Sequence, residues 1–254
     1  MKKNKILSIT FLLFACCLYV AGQETIEKPA QPKNLFKVNL TAIIFKNYSF
    51  QYERVLTRKI SIAIAYRTMP SSSLPFKNTI LEASNNNPDT KDAIDALRLS
   101  SSAITPEVRF YLSKRGYGRG FYIAPFYRHA SFKATNMKFT YTNSSNTEST
   151  ISLSGKLTAN TGGLLFGTQY PLGKHFCLDL WIFGPHYGSG VGDFSGISST
   201  PLTQAEQNEI RQQLEDFDIP LTTKTITVNA NGAALKLDGP WGGIRSGISF
   251  GFRF

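Results

Sequence analysis

The chain has 254 residues, with 28 Lys and Arg against 17 Asp and Glu and a formal net charge of +11. That length suits one all-β domain, and the positive excess speaks about partners only where it is localised. Of the cysteines Cys16, Cys17 and Cys177, the first two fall in the leader described next, which leaves Cys177 alone and excludes an intramolecular disulfide.

Lys2, Lys3 and Lys5 precede an apolar run from Ile6 to Ala21, and Val20-Ala21-Gly22 supplies small residues before Gln23. This is the pattern of a secretory signal over residues 1–22. Leu13-Phe14-Ala15-Cys16 loosely resembles a lipid-attachment box, but Cys17-Leu18-Tyr19-Val20 continues the apolar core where a polar mature start is needed. Residues 23–34 are polar, with Pro29 and Pro32, and read as a flexible periplasmic lead-in. No apolar segment long enough for a spanning helix follows, so any membrane crossing is made by strands. Export also puts nucleic acid out of reach.

From residue 35 to 254 the chain reads as strands with one apolar face. Phe36, Val38, Leu40, Ala42 and Ile44 alternate with Lys37, Asn39, Thr41 and Ile43; Tyr48, Phe50 and Tyr52 alternate with Ser49, Gln51 and Glu53. A basic turn, Leu56 to Lys59, leads to Ile60, Ile62, Ile64 and Tyr66, predicted outward, with Ser61, Ala63, Ala65 and Arg67 inward. Residues 69–103 break the pattern, and Pro88-Asp89-Thr90 starts a predicted short helix through Leu97. The fourth strand sets Ile104, Pro106, Val108, Phe110 and Leu112 against Thr105, Glu107, Arg109 and Tyr111.

After the glycine-rich turn Ser113 to Gly120, the fifth strand has Ile123, Pro125 and Tyr127 outward and Tyr122, Ala124, Phe126 and Arg128 inward, with a bulge predicted at Pro125. A polar loop around Asn143 to Thr150 leads to a sixth strand, Ile151 to Gln169, with Leu153, Leu157, Ala159 and Leu165 predicted on its outer face. In the seventh, Phe176, Leu178, Leu180 and Ile182 alternate with Cys177, Asp179, Trp181 and Phe183. A long excursion from Gly188 to Asp238 holds a predicted helix, Thr203 to Asp216, and a predicted hairpin, Thr225 to Leu237; its acids outnumber its bases. An eighth strand begins near Trp241 and closes with Ile248, Phe250, Phe252 and Phe254 alternating with Gly247, Ser249, Gly251 and Arg253.

Short turns after strands two, four and six alternate with long excursions after three, five and seven, the arrangement of an antiparallel eight-stranded transmembrane β-barrel with short helices in its extracellular loops. The runs Lys37-Val38-Asn39-Leu40, Gln51-Tyr52-Glu53-Arg54, Thr105-Pro106-Glu107-Val108-Arg109-Phe110-Tyr111 and Cys177-Leu178-Asp179-Leu180-Trp181 resemble an uncharacterised family of bacterial outer-membrane β-barrel proteins. The plan is similar to the small OmpA/OmpX-type barrels, without a peptidoglycan-binding domain after the barrel. The resemblance implies multi-pass insertion in a Gram-negative outer membrane, with outer-membrane lipids and lipopolysaccharide as neighbours. Phe250, Phe252 and Phe254 resemble the signal that the barrel-assembly machinery reads during insertion.

The alternation puts Lys37, Glu53, Arg67, Glu107, Arg109, Arg128, Asp179, Arg245 and Arg253 inside, where eight strands leave room only for side chains. Buried charges must pair, so a plug of ion pairs is expected, and with it no catalytic activity and no cofactor. His129-Ala130-Ser131 puts His and Ser on one strand face, and with Glu148 resembles the His-x-Ser pattern of outer-membrane lipid A deacylases, His as base and Ser as nucleophile. The asparagine that follows that serine is Phe132 here, and the plainer reading of His129 is an interfacial polar aromatic residue. His175 and His186 have no neighbour at metal-ligand spacing, so no metal site is predicted. The helical loops need partners for their apolar sides, which suggests an extracellular protein or glycan ligand.

Overall fold

A computed structural model describes residues 32–83, 88–143, 145–216 and 219–254; the predicted signal peptide and nearly all of the lead-in lie outside them. The strands are β1 (Asn34–Asn39), β2 (Tyr48–Val55), β3 (Ile60–Ser72), β4 (Arg98–Tyr111), β5 (Gly120–Thr142), β6 (Glu148–Leu172), β7 (Phe176–Ile197), β8 (Thr223–Asn229) and β9 (Gly232–Arg253). Among the described residues four helices join them: α1 (Leu40–Ile44), α2 (Lys77–Ala83), α3 (Pro88–Ala96) and α4 (Gln204–Asp216). From β1 to β7 each strand pairs antiparallel with the next, β7 pairs with β9, and β9 pairs with β1, so β1 to β7 and β9 form a closed ring of eight. β8 lies outside that ring, paired with the first residues of β9 as the predicted hairpin. Closure leaves the ring no open edge.

Tight turns at 56–59, 112–119 and 173–175 gather at one end of the barrel, and all four helices belong to connections at the other. The walls differ in height. β5, β6, β7 and β9 are 22 to 25 residues long, whereas β1 and β2 have 6 and 8. The tall wall therefore rises past the ring and folds over α4, burying Leu153, Phe194, Ile210, Leu214, Val228 and Leu235 in a core of its own. α4 begins in a capping box: Thr203 Oγ1 accepts from Glu206 N, and Glu206 Oε2 accepts from Thr203 N at 2.6 Å.

Five expectations change. β1 stops at Asn39 and does not run to Ile44, because the Asn39 side chain accepts from Ala42 N at 2.9 Å and caps α1. There is no bulge at Pro125. It faces Leu164 on one side, and on the other the β4–β5 pairing lapses beside Pro106 and Val108 but resumes in the same register. The bulge in β5 lies at 135–136, where Asn136 takes φ 60°, a conformation asparagine tolerates. In β6 the predicted face is reversed: Leu153, Ala159 and Leu165 are buried, and Leu164 and Phe166 are exposed. Phe183 points outward, since a bulge at 182–183 puts both residues on the outer surface before Gly184 returns inside. Finally, much of the predicted loops after strands five and seven is strand, with β5 running to Thr142 and β6 beginning at Glu148.

Among the described residues no helix is long and apolar enough to cross a membrane. The apolar surface is on the strands. Phe36, Phe50, Ile62, Ile64, Ile104, Val108, Phe110, Phe121, Phe166, Phe176, Ile248, Phe250 and Phe252 are all exposed around the ring, and aromatic rings touch across strands, as Phe36 does Phe50 and Phe176 does Phe250.

Candidate functional site in the barrel lumen

Inward side chains from opposite walls meet on the axis because glycines make room. A Cβ on Gly167 would lie 2.4 Å from the Tyr122 ring, one on Gly163 2.6 Å from Phe126, and one on Gly251 2.8 Å from the Lys37 stem. Small residues facing large ones let a narrow barrel fill.

At the short-turn end Leu35, Val55 and Cys177 form an apolar floor. Above it Lys37 Nζ donates to Glu53 Oε2 (2.5 Å), Gln169 Oε1 (2.5 Å) and Asp179 Oδ2 (2.7 Å), using all three of its protons. Arg109 reaches the three acids at once, with Nη1 on Glu53 (3.1 Å) and Asp179 (2.7 Å) and Nε on Glu107 (2.6 Å), while Nη2 donates to Gln51 and the guanidinium lies 4.4 Å over the Tyr122 ring. Tyr111 and Ser61 hydroxyls donate to Glu53 Oε1, and Tyr122 donates to Asp179 Oδ1. Arg245 completes the set from β9, with Nη1 3.1 Å from Glu107 Oε2 and its guanidinium over Phe126 and Trp181. Lys37, Arg109 and Arg245 therefore balance Glu53, Glu107 and Asp179, and every carboxylate has several donors, the condition under which buried ion pairs persist.

The other inward cations stand apart from this network. Arg253 donates to the carbonyls of Tyr117 and Gly118 at the short-turn end. Arg67 Nε donates to Asn47 Oδ1 (2.8 Å), and Arg128 Nη1 to Thr105 Oγ1 (3.3 Å). Among the described residues none of the three pairs with a carboxylate. Arg67 and Arg128 border a cavity of about 400 Å³ above the network, whose walls also carry Arg245 and His186.

His129 lies on the outer surface, and its Nδ1 is 2.8 Å from Oδ1 of Asn160, its cross-strand partner, which also accepts from Tyr127. Ser131 pairs across the sheet with Ser102 and Thr158. Glu148 is opposite Thr142 at the far tip of the β5–β6 hairpin, roughly 30 Å along the strand from Ser131 at ~3.3 Å per residue. The three residues are not brought together. Phe132 turns into the barrel, its ring 5.1 Å from Trp241. Phe250, Phe252 and Phe254 are exposed, Phe252 stacking on His175 and Phe254. Among the described residues no three His, Cys, Asp or Glu side chains are placed to hold a metal ion.

No protein-family model and no curated protein sequence matches the chain. The chain is similar to several solved structures. They include the outer membrane protease OmpT from Escherichia coli, 12% identical, with a TM-score of 0.38 over 88% of this chain and 93% of that one. A major outer membrane protein from Thermus thermophilus is 12% identical, TM-score 0.29, over 87% and 99% of the two chains. The translocator domain of the autotransporter NalP from Neisseria meningitidis is 9% identical, TM-score 0.28, over 99% and 98%.

Sequence reasoning picked out the charged members of the lumen and passed over the neutral ones. Gln51, Ser61, Tyr111, Tyr122 and Trp181 are read from the sequence onto the same strand faces as those charges, but only the structure joins them to the network. Gln169 is not, because the face of β6 is read the wrong way round.

Proposed function

We propose that the chain is a multi-pass barrel of a Gram-negative outer membrane that serves as a closed, non-catalytic surface binder. The observation that carries this reading is the coincidence of two opposites at one level of the barrel: an outer surface of exposed aromatic and aliphatic side chains, and inside it fully buried Lys37, Glu53, Arg109 and Asp179. Water favours the reverse arrangement, and lipid requires this one. The short-turn end then faces the periplasm, and the helices and tall wall face outward, where α4 and the β8–β9 hairpin form a platform for an extracellular protein or glycan. Lipids and lipopolysaccharide surround the belt, and the barrel-assembly machinery is the partner during insertion. Against catalysis at Ser131 stand the engagement of His129 Nδ1 with Asn160 and the distance to Glu148.

The location is tested by fractionation. The protein should sediment with outer membranes and change its apparent size on gels only when boiled; recovery from the soluble periplasm would sink the proposal. Crosslinking on intact cells, followed by pull-down, tests the binding role, and capture by the full chain but not by a chain lacking residues 198–222 is the expected result.

A further inference from the structure

We propose that the upper lumen is an anion site, in which Arg67, Arg128 and Arg245 hold a small phosphate-bearing guest. The network beneath is neutral with Arg245 counted in it through Glu107, so its carboxylates leave nothing for Arg67 and Arg128. Each guanidinium carries five N–H donors. Among the described residues Arg67 spends only Nε on Asn47, Arg128 makes a single long bond to Thr105, and Arg245 gives Nη1 to Glu107. The remaining donors border a cavity of about 400 Å³, inside the usual range for small-molecule sites.

The three cations repel one another: Arg245 acts on both Arg67 and Arg128, and Arg67 acts on Arg128. Arg67 and Arg128 are half-buried without a carboxylate partner among the described residues, and a single multivalent oxyanion supplies the counter-charge that partly desolvated like charges lack. Guanidinium forks match phosphate oxygens in pairs. Ser49 and Ser101, at inward parity, also line the cavity, and among the described residues Nδ1 of His186 is a buried ring nitrogen with no partner. Phe132 and Trp241, in ring contact, also line the cavity and offer a face for the uncharged part of a guest. The chemistry is the same whether the phosphate belongs to a free solute or to a lipopolysaccharide headgroup.

The site rests on lumen geometry and not on the membrane reading, so it is tested on protein refolded in detergent free of lipopolysaccharide, its folding checked by mobility on unboiled gels. Calorimetric titration with inorganic pyrophosphate reports a free solute, and a parallel titration with lipid A micelles reports the headgroup. Binding in either arm supports the site and identifies its source; binding in neither overturns it. Arg67→Gln and Arg128→Gln should each weaken binding at least ~10-fold, since each removes charged hydrogen bonds, and Lys174→Gln, on a short turn at the opposite end, should not. Arg128→Lys keeps the charge and loses the fork, and should bind measurably more weakly than wild type even if the Gln variant fails to fold. Unchanged affinity in a folded Arg128 variant overturns the assignment.

Discussion

Glu107 is the hinge of the lumen network, accepting from Arg109, Gln51 and Arg245 while fully enclosed. Glu107→Ala leaves Arg245 with no carboxylate and Arg109 with one fewer, and should cost about 3–5 kcal/mol, read as a fall in urea or thermal midpoint in lipid. Arg128→Gln strands no acid and should leave the unliganded midpoint no lower than wild type; a loss as large as that of Glu107→Ala would mean that Arg128 belongs to the network after all. Gly167 acts through its missing side chain. Gly167→Ala drives a methyl into the Tyr122 ring, which must move and give up its bond to Asp179, for an expected cost of about 1–3 kcal/mol. Adding Tyr122→Phe to it should then cost little more, because that hydrogen bond is already lost.

The bulge in β7 governs which side chains reach the axis. Since 182 and 183 both lie outside, removal of Phe183 restores simple alternation, with Trp181 and Gly184 still inward. A one-residue deletion in a regular strand instead inverts every position beyond it. Deleting Phe183 should therefore preserve the fast-running folded band on unboiled gels, while deleting Ile64 from β3 should abolish it. α4 is an element of another kind, held by Ile210 and Leu214 in the core of the tall wall. Ile210→Ala should loosen that wall by about 2–5 kcal/mol, exposing residues 198–222 to added protease on intact cells. The ring below should keep its heat-modifiable mobility. Loss of the folded band in that variant would mean the tall wall and the ring form one cooperative unit.

For the whole molecule the decisive feature is that the lumen is stacked solid from Leu35, Val55 and Cys177 up to Arg245. Purified protein in planar bilayers should show no large steady conductance, and porin-like steps would contradict the filling of the axis by Lys37 and Arg109. The cavity above is blind at its lower end, so a guest enters and leaves by the long-loop side. The surface-binding role proposed above fits a closed ring bearing a tall one-sided wall.

Strict alternation determined most of this from the sequence alone. In β2, β3 and β4 the outward residues are apolar and the inward ones small or polar, so parity, strand existence and the inward charges were all legible. The reason is that lipid-type and lumen-type surroundings demand opposite chemistry from neighbouring residues. That contrast vanishes where both faces are apolar. Leu153 and Leu165 face inward, Leu153 toward α4, so hydrophobicity could not tell one side of β6 from the other. Nor could it reveal a bulge at Ile182-Phe183, where two apolar residues in succession fit either parity. Only the tertiary structure decided which charges meet. Lys37, Glu53, Arg109 and Asp179 come from four strands whose contact depends on closure and register, whereas Arg67 and Arg128, of the same parity and chemistry, stand higher on the wall and reach no acid. Composition counts inward charges, and only their heights along the axis determine whether they form a plug or a place for a guest.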